Sequence, residues 1–125
     1  MTVIINSPLE VKASRQNFIL NLNRYRNTHH QILHRAKINY KSIIEKQIRS
    51  LKVMDKIELT FVLFPKTKRL TDLSNVLSIH DKFFCDALVE LGKLPDDNYQ
   101  HITNIKYMFG EVDRINPRVE IYIND

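Results

Sequence analysis

The chain has few features of a secreted or membrane protein. Its single cysteine, Cys85, has no partner in the sequence, so an intrachain disulfide is impossible. No apolar run approaches the roughly 20 residues of a membrane-spanning helix. The first ten residues, MTVIINSPLE, lack the charged segment that precedes the apolar part of a secretory signal. We therefore expect a cytoplasmic protein that does not associate with membranes.

Length and composition are typical of one globular domain. The chain has 125 residues, of which 43% are hydrophobic and 26% are charged, and this length is sufficient to bury a core. No internal repeat, low-complexity tract or linker divides it. We predict a single domain over residues 1–125.

Charge is distributed unevenly along the chain. Residues 1–62 carry eleven Lys and Arg against four Asp and Glu, whereas residues 63–125 carry eight against ten. A basic half beside an acidic half suits a protein that binds a polyanion with one surface and metal ions with another. A solvated basic helix would explain the same charge about equally well.

Hydrophobic periodicity predicts elements in the order β(β)αβαββ. The predicted strands are Thr2–Asn6, Lys56–Phe64, His101–Phe109 and Arg118–Ile123, with Phe18–Leu22 as a further strand or extended segment. A first long helix should run from about Thr28 to about Leu51 and be capped by Asn27 or Thr28.

These elements favour one two-layer α+β domain, a mixed β-sheet with two main helices packed on it. We expect Arg24, Tyr25 and Arg26 to lie in a loop before the first long helix. Gly110 and the polar segment after it should form a hairpin-like connection between the last two strands.

The second long helix is the most informative part of the sequence. Asp72 stands where it should begin, and Gly92 is a natural residue just beyond its end. Its core-facing stripe comprises Leu73, Val76, Leu77, His80, Phe83, Phe84, Ala87, Leu88 and Leu91. A second stripe, nearly opposite, comprises Asn75, Ser78, Lys82 and Asp86. Because His80 lies on the apolar stripe, we expect a buried, hydrogen-bonded histidine rather than a catalytic base.

Carboxylates flank this helix on both sides. Asp72 precedes it, and Asp96 and Asp97 follow it in a Pro-Asp-Asp-Asn turn. Mg²⁺ is held by a few carboxylate oxygens and retains waters, which leaves coordination positions for phosphate. Lys82 could hold a phosphate or stabilise a leaving oxygen. Helix capping by Asp72 and ordinary turn chemistry at Asp96 and Asp97 are the structural alternatives.

The segment Arg69–Asn98 resembles the RusA family of Holliday-junction resolvases. That family shows a basic residue, Asp-Leu-Asp-Asn, a helix with a lysine and then Asp-Ala-Leu, a glycine and a closing Asp-Asp. The corresponding residues here are Arg69, Asp72-Leu73-Ser74-Asn75, Lys82, Asp86-Ala87-Leu88, Gly92 and Asp96-Asp97. Upstream, Asn23-Arg24-Tyr25-Arg26 is similar to the family's Asn-x-Tyr start.

The resemblance implies a homodimeric α+β endonuclease that uses Mg²⁺, or Mn²⁺ as an alternative, to resolve four-way DNA junctions by paired nicks. It implies that Asp72 and Asp97 are catalytic metal ligands and that Lys82 is the catalytic or phosphate-binding lysine. Asp96 would support the second ligand, within the same metal site.

Two departures from the family pattern affect this assignment. Ser74 replaces the family's second aspartate, and the helix has about one extra turn before Lys82. A serine hydroxyl is a poorer ligand for Mg²⁺ than a carboxylate. Three outcomes are open: Asn75 or Asp86 compensates, metal affinity is weak, or the protein binds branched DNA without cutting it. The candidate compensating ligands are Ser74, Asn75 and Asp86.

Three functional hypotheses follow. The first is a Mg²⁺-dependent nuclease for branched DNA that binds phosphates through basic residues. Those residues are Arg24, Arg26, Lys37, Lys41, Lys66, Lys68 and Arg69. The second is a RusA-like protein that binds branched DNA but has lost cleavage through Ser74. The third is an interaction module in which the acidic turn and the basic helix pair two subunits.

Overall fold

The computed structural model describes residues 2–125. The elements are β1 (Thr2–Ser7), β2 (Glu10–Ala13), β3 (Gln16–Ile19), α1 (Leu22–Asn27), α2 (His30–Arg49), β4 (Ile57–Phe64), α3 (Leu73–Glu90), β5 (Ile102–Phe109) and β6 (Arg118–Asn124). The predicted α+β domain with a mixed sheet and two main helices is confirmed. Within residues 2–125, no helix has the length and apolar character needed to cross a membrane.

The main sheet has the strand order β1-β6-β4-β5. Strand β6 is antiparallel to both β1 and β4, whereas β5 is parallel to β4. The predicted hairpin-like connection between β5 and β6 is therefore wrong. Helix α3 carries the chain from β4 to β5 as a parallel crossover. Strand β5 lies at the edge of the sheet beside β4, and β6 pairs with the other side of β4.

The core lies between one face of the sheet and helices α2 and α3. Alternate residues of β4, from Ile57 to Leu63, and of β6, from Val119 to Ile123, are buried on that face. The ring of Phe61 on β4 meets Phe84 of α3 edge-on, with ring centroids 6.4 Å apart. The buried alternate residues of the strands thus pack against the apolar stripe of α3, as the sequence predicts.

The apolar stripe of α3 includes a buried polar network. His80 is fully buried, and its Nδ1 lies 2.7 Å from Ser7 Oγ on β1. The same hydroxyl lies 2.7 Å from the Tyr40 hydroxyl on α2. The network therefore joins three elements, and the prediction of a buried, hydrogen-bonded His80 is confirmed.

The segment between β1 and α2 differs most from expectation. Strands β2 and β3 form a separate antiparallel hairpin. The predicted segment Phe18–Leu22 overlaps the second strand only at Phe18 and Ile19, and it ends at the first residue of α1. Arg24–Arg26 belong to α1 and not to a loop, and the Asn21 side chain caps this helix by accepting from the Arg24 amide at 2.7 Å. Helix α2 begins at His30, and its cap is His29 rather than Asn27 or Thr28.

Candidate functional site

An open groove lies where α1, α3, the acidic turn and β5 meet. Its volume is about 460 Å³. Its polar lining consists of Tyr25 from α1, Ser78, Asp81, Lys82 and Cys85 from α3, Asp97 from the turn, and Tyr107 from β5. The groove therefore combines two carboxylates, one ammonium and two phenols at an accessible surface.

Lys82 and Asp97 both line this groove although fifteen residues separate them in the sequence. Helix α3 places Lys82 on its exposed side, and the turn after Gly92 carries the chain back toward the helix. Gly92 has φ of 75°, a left-handed conformation that glycine adopts without strain. The predicted lysine and one predicted ligand thus lie in the same groove.

Asp81 is a groove residue that the sequence analysis missed. Its Oδ2 accepts a hydrogen bond from the Tyr107 hydroxyl at 2.8 Å, and its Oδ1 accepts from the Cys85 thiol at 3.2 Å. These donors hold the carboxylate in one orientation while each oxygen retains a further lone pair. Its position beside Lys82 in the sequence was the available signal.

The donors to Asp81 are themselves perturbed. Burial, followed by the hydrogen bond to Asp81, raises the pKa of Tyr107 above its ordinary value. Burial and the Asp81 charge likewise raise the pKa of the Cys85 thiol. The raised pKa of each group is consistent with its role as a hydrogen-bond donor to Asp81.

Asp96 is occupied within the turn. Its Oδ1 accepts from the Asp97 amide at 2.7 Å, and its Oδ2 accepts from the Asn98 side chain at 3.1 Å. These bonds are the local turn chemistry typical of Asp. Asp96 therefore shapes the turn that carries Asp97, and it is not among the residues that line the groove.

Asp72 lies at the start of α3, away from the groove lining. It occupies the N-cap position, but its side chain makes no capping hydrogen bond within residues 2–125. Ten residues separate it from Lys82, which corresponds to about 15 Å along a helix axis. The structure thus brings Lys82 and Asp97 together and leaves Asp72 apart from them.

The proposed compensating ligands have other contacts. Asn75 Oδ1 accepts from the Asn23 amide at 3.3 Å and so connects α3 to α1. Ser74 is exposed, and it is its backbone carbonyl, not its hydroxyl, that accepts from the Ser78 hydroxyl one turn later. Asp86 is half-buried on the side of α3 that faces α2, where burial raises the pKa of its carboxyl and Lys37 partly offsets that shift.

The predicted DNA-binding residues lie in three places: the connection between β4 and α3, helix α1 and helix α2. Lys66, Lys68 and Arg69 are exposed in the connection between β4 and α3, and Arg24 and Arg26 are exposed on α1.

On α2, the two predicted DNA-binding lysines differ. Lys41 forms an ion pair with Glu90 at 2.7 Å. The Lys37 ammonium lies 5.8 Å from the centroid of the Tyr25 ring. Lys41 is therefore paired with a carboxylate, whereas Lys37 lies beside the Tyr25 ring at the border of the groove.

Metal ligands are fewer than the sequence suggested. Across residues 2–125, the structure contains no group of three or more His, Cys, Asp or Glu side chains arranged to hold a metal ion. Asp81 and Asp97 line the same groove as a pair. A pair fits the usual protein contribution to a Mg²⁺ site, which is one or two carboxylates with waters and substrate phosphates.

Comparison of the chain with models of known protein families gives no match, and comparison with curated protein sequences gives no significant match.

Proposed function

We propose that this protein is a Mg²⁺-dependent endodeoxyribonuclease that acts on branched DNA of the four-way-junction type. The observation that carries the proposal is the groove in which Lys82 and Asp97 lie together with Asp81. It combines the two kinds of group that phosphodiester cleavage needs, carboxylates for a hard cation and a cation for the phosphate. The RusA-like segment Arg69–Asn98 supplies the substrate class, and paired nicks would require a homodimer.

Each groove residue has a separate task in this proposal. Asp97 and Asp81 would hold Mg²⁺, and Tyr107 keeps the Asp81 carboxylate oriented. Lys82 would bind a phosphate oxygen as a point charge. When bound, Mg²⁺ neutralises charge at the phosphodiester and lowers the pKa of a coordinated water.

Basic residues outside the groove would position the DNA. Lys66, Lys68 and Arg69 lie in the connection directly before α3, and Arg24 and Arg26 lie on the helix that borders the groove. Phosphate contacts from such residues give salt-sensitive binding with little sequence preference. Substrate choice would then depend on the shape of the DNA.

Binding without cleavage is the second candidate function. Ser74 supplies no carboxylate, and Asp72 is not among the residues that line the groove. In that case the groove would still bind phosphate through Lys82, but its two carboxylates would hold Mg²⁺ too weakly for turnover. This candidate predicts binding to the junction without Mg²⁺-dependent nicks.

The decisive experiment compares a labelled four-way junction with its linear duplex arms in Mg²⁺, in Mn²⁺ and with chelator. Metal-dependent paired nicks on the junction alone are expected from the wild-type protein. Asp97→Asn and Asp81→Asn should each slow cleavage by about 100-fold or more, because each removes a ligand rather than the weaker support of an outer contact. Binding to the junction in chelator should change little.

Glu58→Gln is the matched control for these variants. Glu58 is exposed on β4, where it alternates with the buried residues that face the helices, so the substitution removes one negative charge away from the groove. Full cleavage by Asp97→Asn would refute the assignment of the site. Binding to the junction without nicks would favour a protein that binds branched DNA but does not cut it. Binding to the junction no tighter than to a neutral control would favour an interaction module.

A further inference from the structure

Tyr25 lies at the border of the groove, where helices from three parts of the chain meet. It belongs to α1, and its ring has lysine ammoniums from two other helices close by. Lys37 Nζ of α2 and Lys82 Nζ of α3 each lie 5.8 Å from the ring centroid. Lys37 Nζ also lies 5.9 Å from the centroid of Phe83.

These distances are within the range of cation–π attraction, in which the negative face of an aromatic ring attracts an ammonium group. Within residues 2–125, neither ammonium lies within 4.0 Å of a carboxylate oxygen. Lys41, one turn after Lys37, is instead paired with Glu90. The ring of Tyr25 thus has two lysine ammoniums beside it, and neither is within ion-pair distance of a carboxylate.

The position of Tyr25 is fixed by its helix. The Asn21 side chain caps α1, and the Asn23 amide donates to Asn75 Oδ1 of α3 at 3.3 Å. The Tyr25 side chain packs against the core while its ring borders the groove. Two lysine side chains therefore approach one aromatic ring, and the helix that carries this ring is capped and hydrogen-bonded to α3.

We propose that Tyr25 is a positioning residue that holds Lys37 and Lys82 together as one phosphate-binding site at the edge of the groove. The ligand class is a phosphate group of a nucleic-acid backbone, so the inference rests on the proposed function. Asp86 interacts electrostatically with both lysines, and its negative charge opposes a bound anion. This negative charge would offset a single lysine, so we expect phosphate binding at this site to need both lysines.

The contact between the ring and the lysines is tested first by NMR of the wild-type protein with reductively ¹³C-methylated lysines. The methyl resonances of Lys37 and Lys82, assigned with Lys37→Arg and Lys82→Arg, should be displaced by the ring current of Tyr25. Tyr25→Phe should retain the displacement. Tyr25→Leu should abolish the displacement of Lys82 and reduce that of Lys37, which also lies near the Phe83 ring. Undisplaced resonances in the wild-type protein would overturn the inference, even if the Leu variant failed to fold.

Binding to a four-way junction as a function of salt tests the role of the pair. Lys37→Gln and Lys82→Gln should each reduce the slope of log K against log salt by about 1. Tyr25→Leu should weaken binding by about 10-fold, the order expected when phosphate contacts are disrupted. Tyr25→Phe should bind within about twofold of the wild type, because the aromatic ring remains.

A mutant cycle separates positioning from direct contact. In the double Lys→Gln background, Tyr25→Leu should have no further effect, because the ring would then have nothing to hold. An undiminished loss of binding in that background would mean that Tyr25 contacts the DNA itself, and would overturn the inference.

Inorganic pyrophosphate distinguishes failure of this inference from failure of the proposed function. Pyrophosphate should shift the methyl resonances of Lys37 and Lys82 together. If it shifts neither while the junction is bound and cut, the phosphate site is wrong and the nuclease stands. If it shifts both while the junction is not bound, the phosphate site stands and the proposed function is wrong.

Discussion

Acid should destabilise this protein through one buried histidine. His80 is 0% exposed, and burial lowers its pKa from an ordinary value of 6.5 to about 3. Its Nδ1 contacts the Ser7 hydroxyl at 2.7 Å. Its Nε2 is buried and has no hydrogen-bond partner within residues 2–125. Protonation of both ring nitrogens would therefore place a charge in the core with no hydrogen-bond partner at Nε2.

The sign and size of the effect follow from proton linkage. Between pH 6.5 and pH 3, the unfolded chain binds a proton at His80 that the folded protein does not bind. Stability contributed by the neutral histidine is complete above pH 6.5 and is lost as the pH falls, by about 1.4 kcal/mol per unit once well below 6.5. From pH 8 to pH 5, the expected loss in the free energy of unfolding is about 2 kcal/mol.

Urea denaturation at several pH values between 5 and 8 measures this loss. His80→Gln removes the titrating group, so its free energy of unfolding should fall by about 2 kcal/mol less than that of the wild type over this interval. The variant's lower baseline stability does not matter, because only the pH dependence is compared. His34→Gln on α2, where the side chain is exposed, is the matched control. Parallel curves for the wild type and His80→Gln would refute the reasoning.

Two further predictions concern the sheet and the groove. Gly110→Ala should destabilise the protein by about 1–3 kcal/mol in urea denaturation, as overpacking does, because its Cβ would lie 2.7 Å from a Phe64 ring atom. The Arg118 guanidinium lies 4.1 Å from the centroid of that Phe64 ring. In a Phe64→Leu background, Gly110→Ala should lose most of its destabilising effect. Cys85 should react with a disulfide reagent more slowly than a free thiol, because burial and Asp81 raise its pKa. Asp81→Asn should accelerate that reaction, and an unchanged rate would contradict the contact between the two side chains.

Long periodic segments were predictable, because their burial repeats in the sequence. The apolar stripe of α3 and the alternation in β4 lie where the predicted core requires them. Residues within such an element are constrained by many neighbours on the same face. Their boundaries were therefore correct to within one or two residues.

Short elements were missed because tertiary contacts stabilise them. Strand β2 has four residues, and its turn contains Ser14 with φ of 67° rather than the glycine or asparagine that marks a hairpin. Helix α1 has six residues, too few for a periodic pattern and too few for stability in isolation. Its cap and its contact with Asn75 account for it, and only the folded chain provides that contact.

The same limit explains which site residues were missed. A helical pattern identifies the outer face of α3, but it does not show which outer residues other elements cover. Tyr107 on an edge strand contacts Asp81, and Tyr25 on a short helix lies beside Lys82. These two tyrosines therefore determine which outer residues of α3 belong to the groove. The chemistry of the groove therefore depends on the two least predictable aspects of this fold, strand order and α1. Variants of Tyr25 and Tyr107 test it more directly than further substitutions on the apolar stripe.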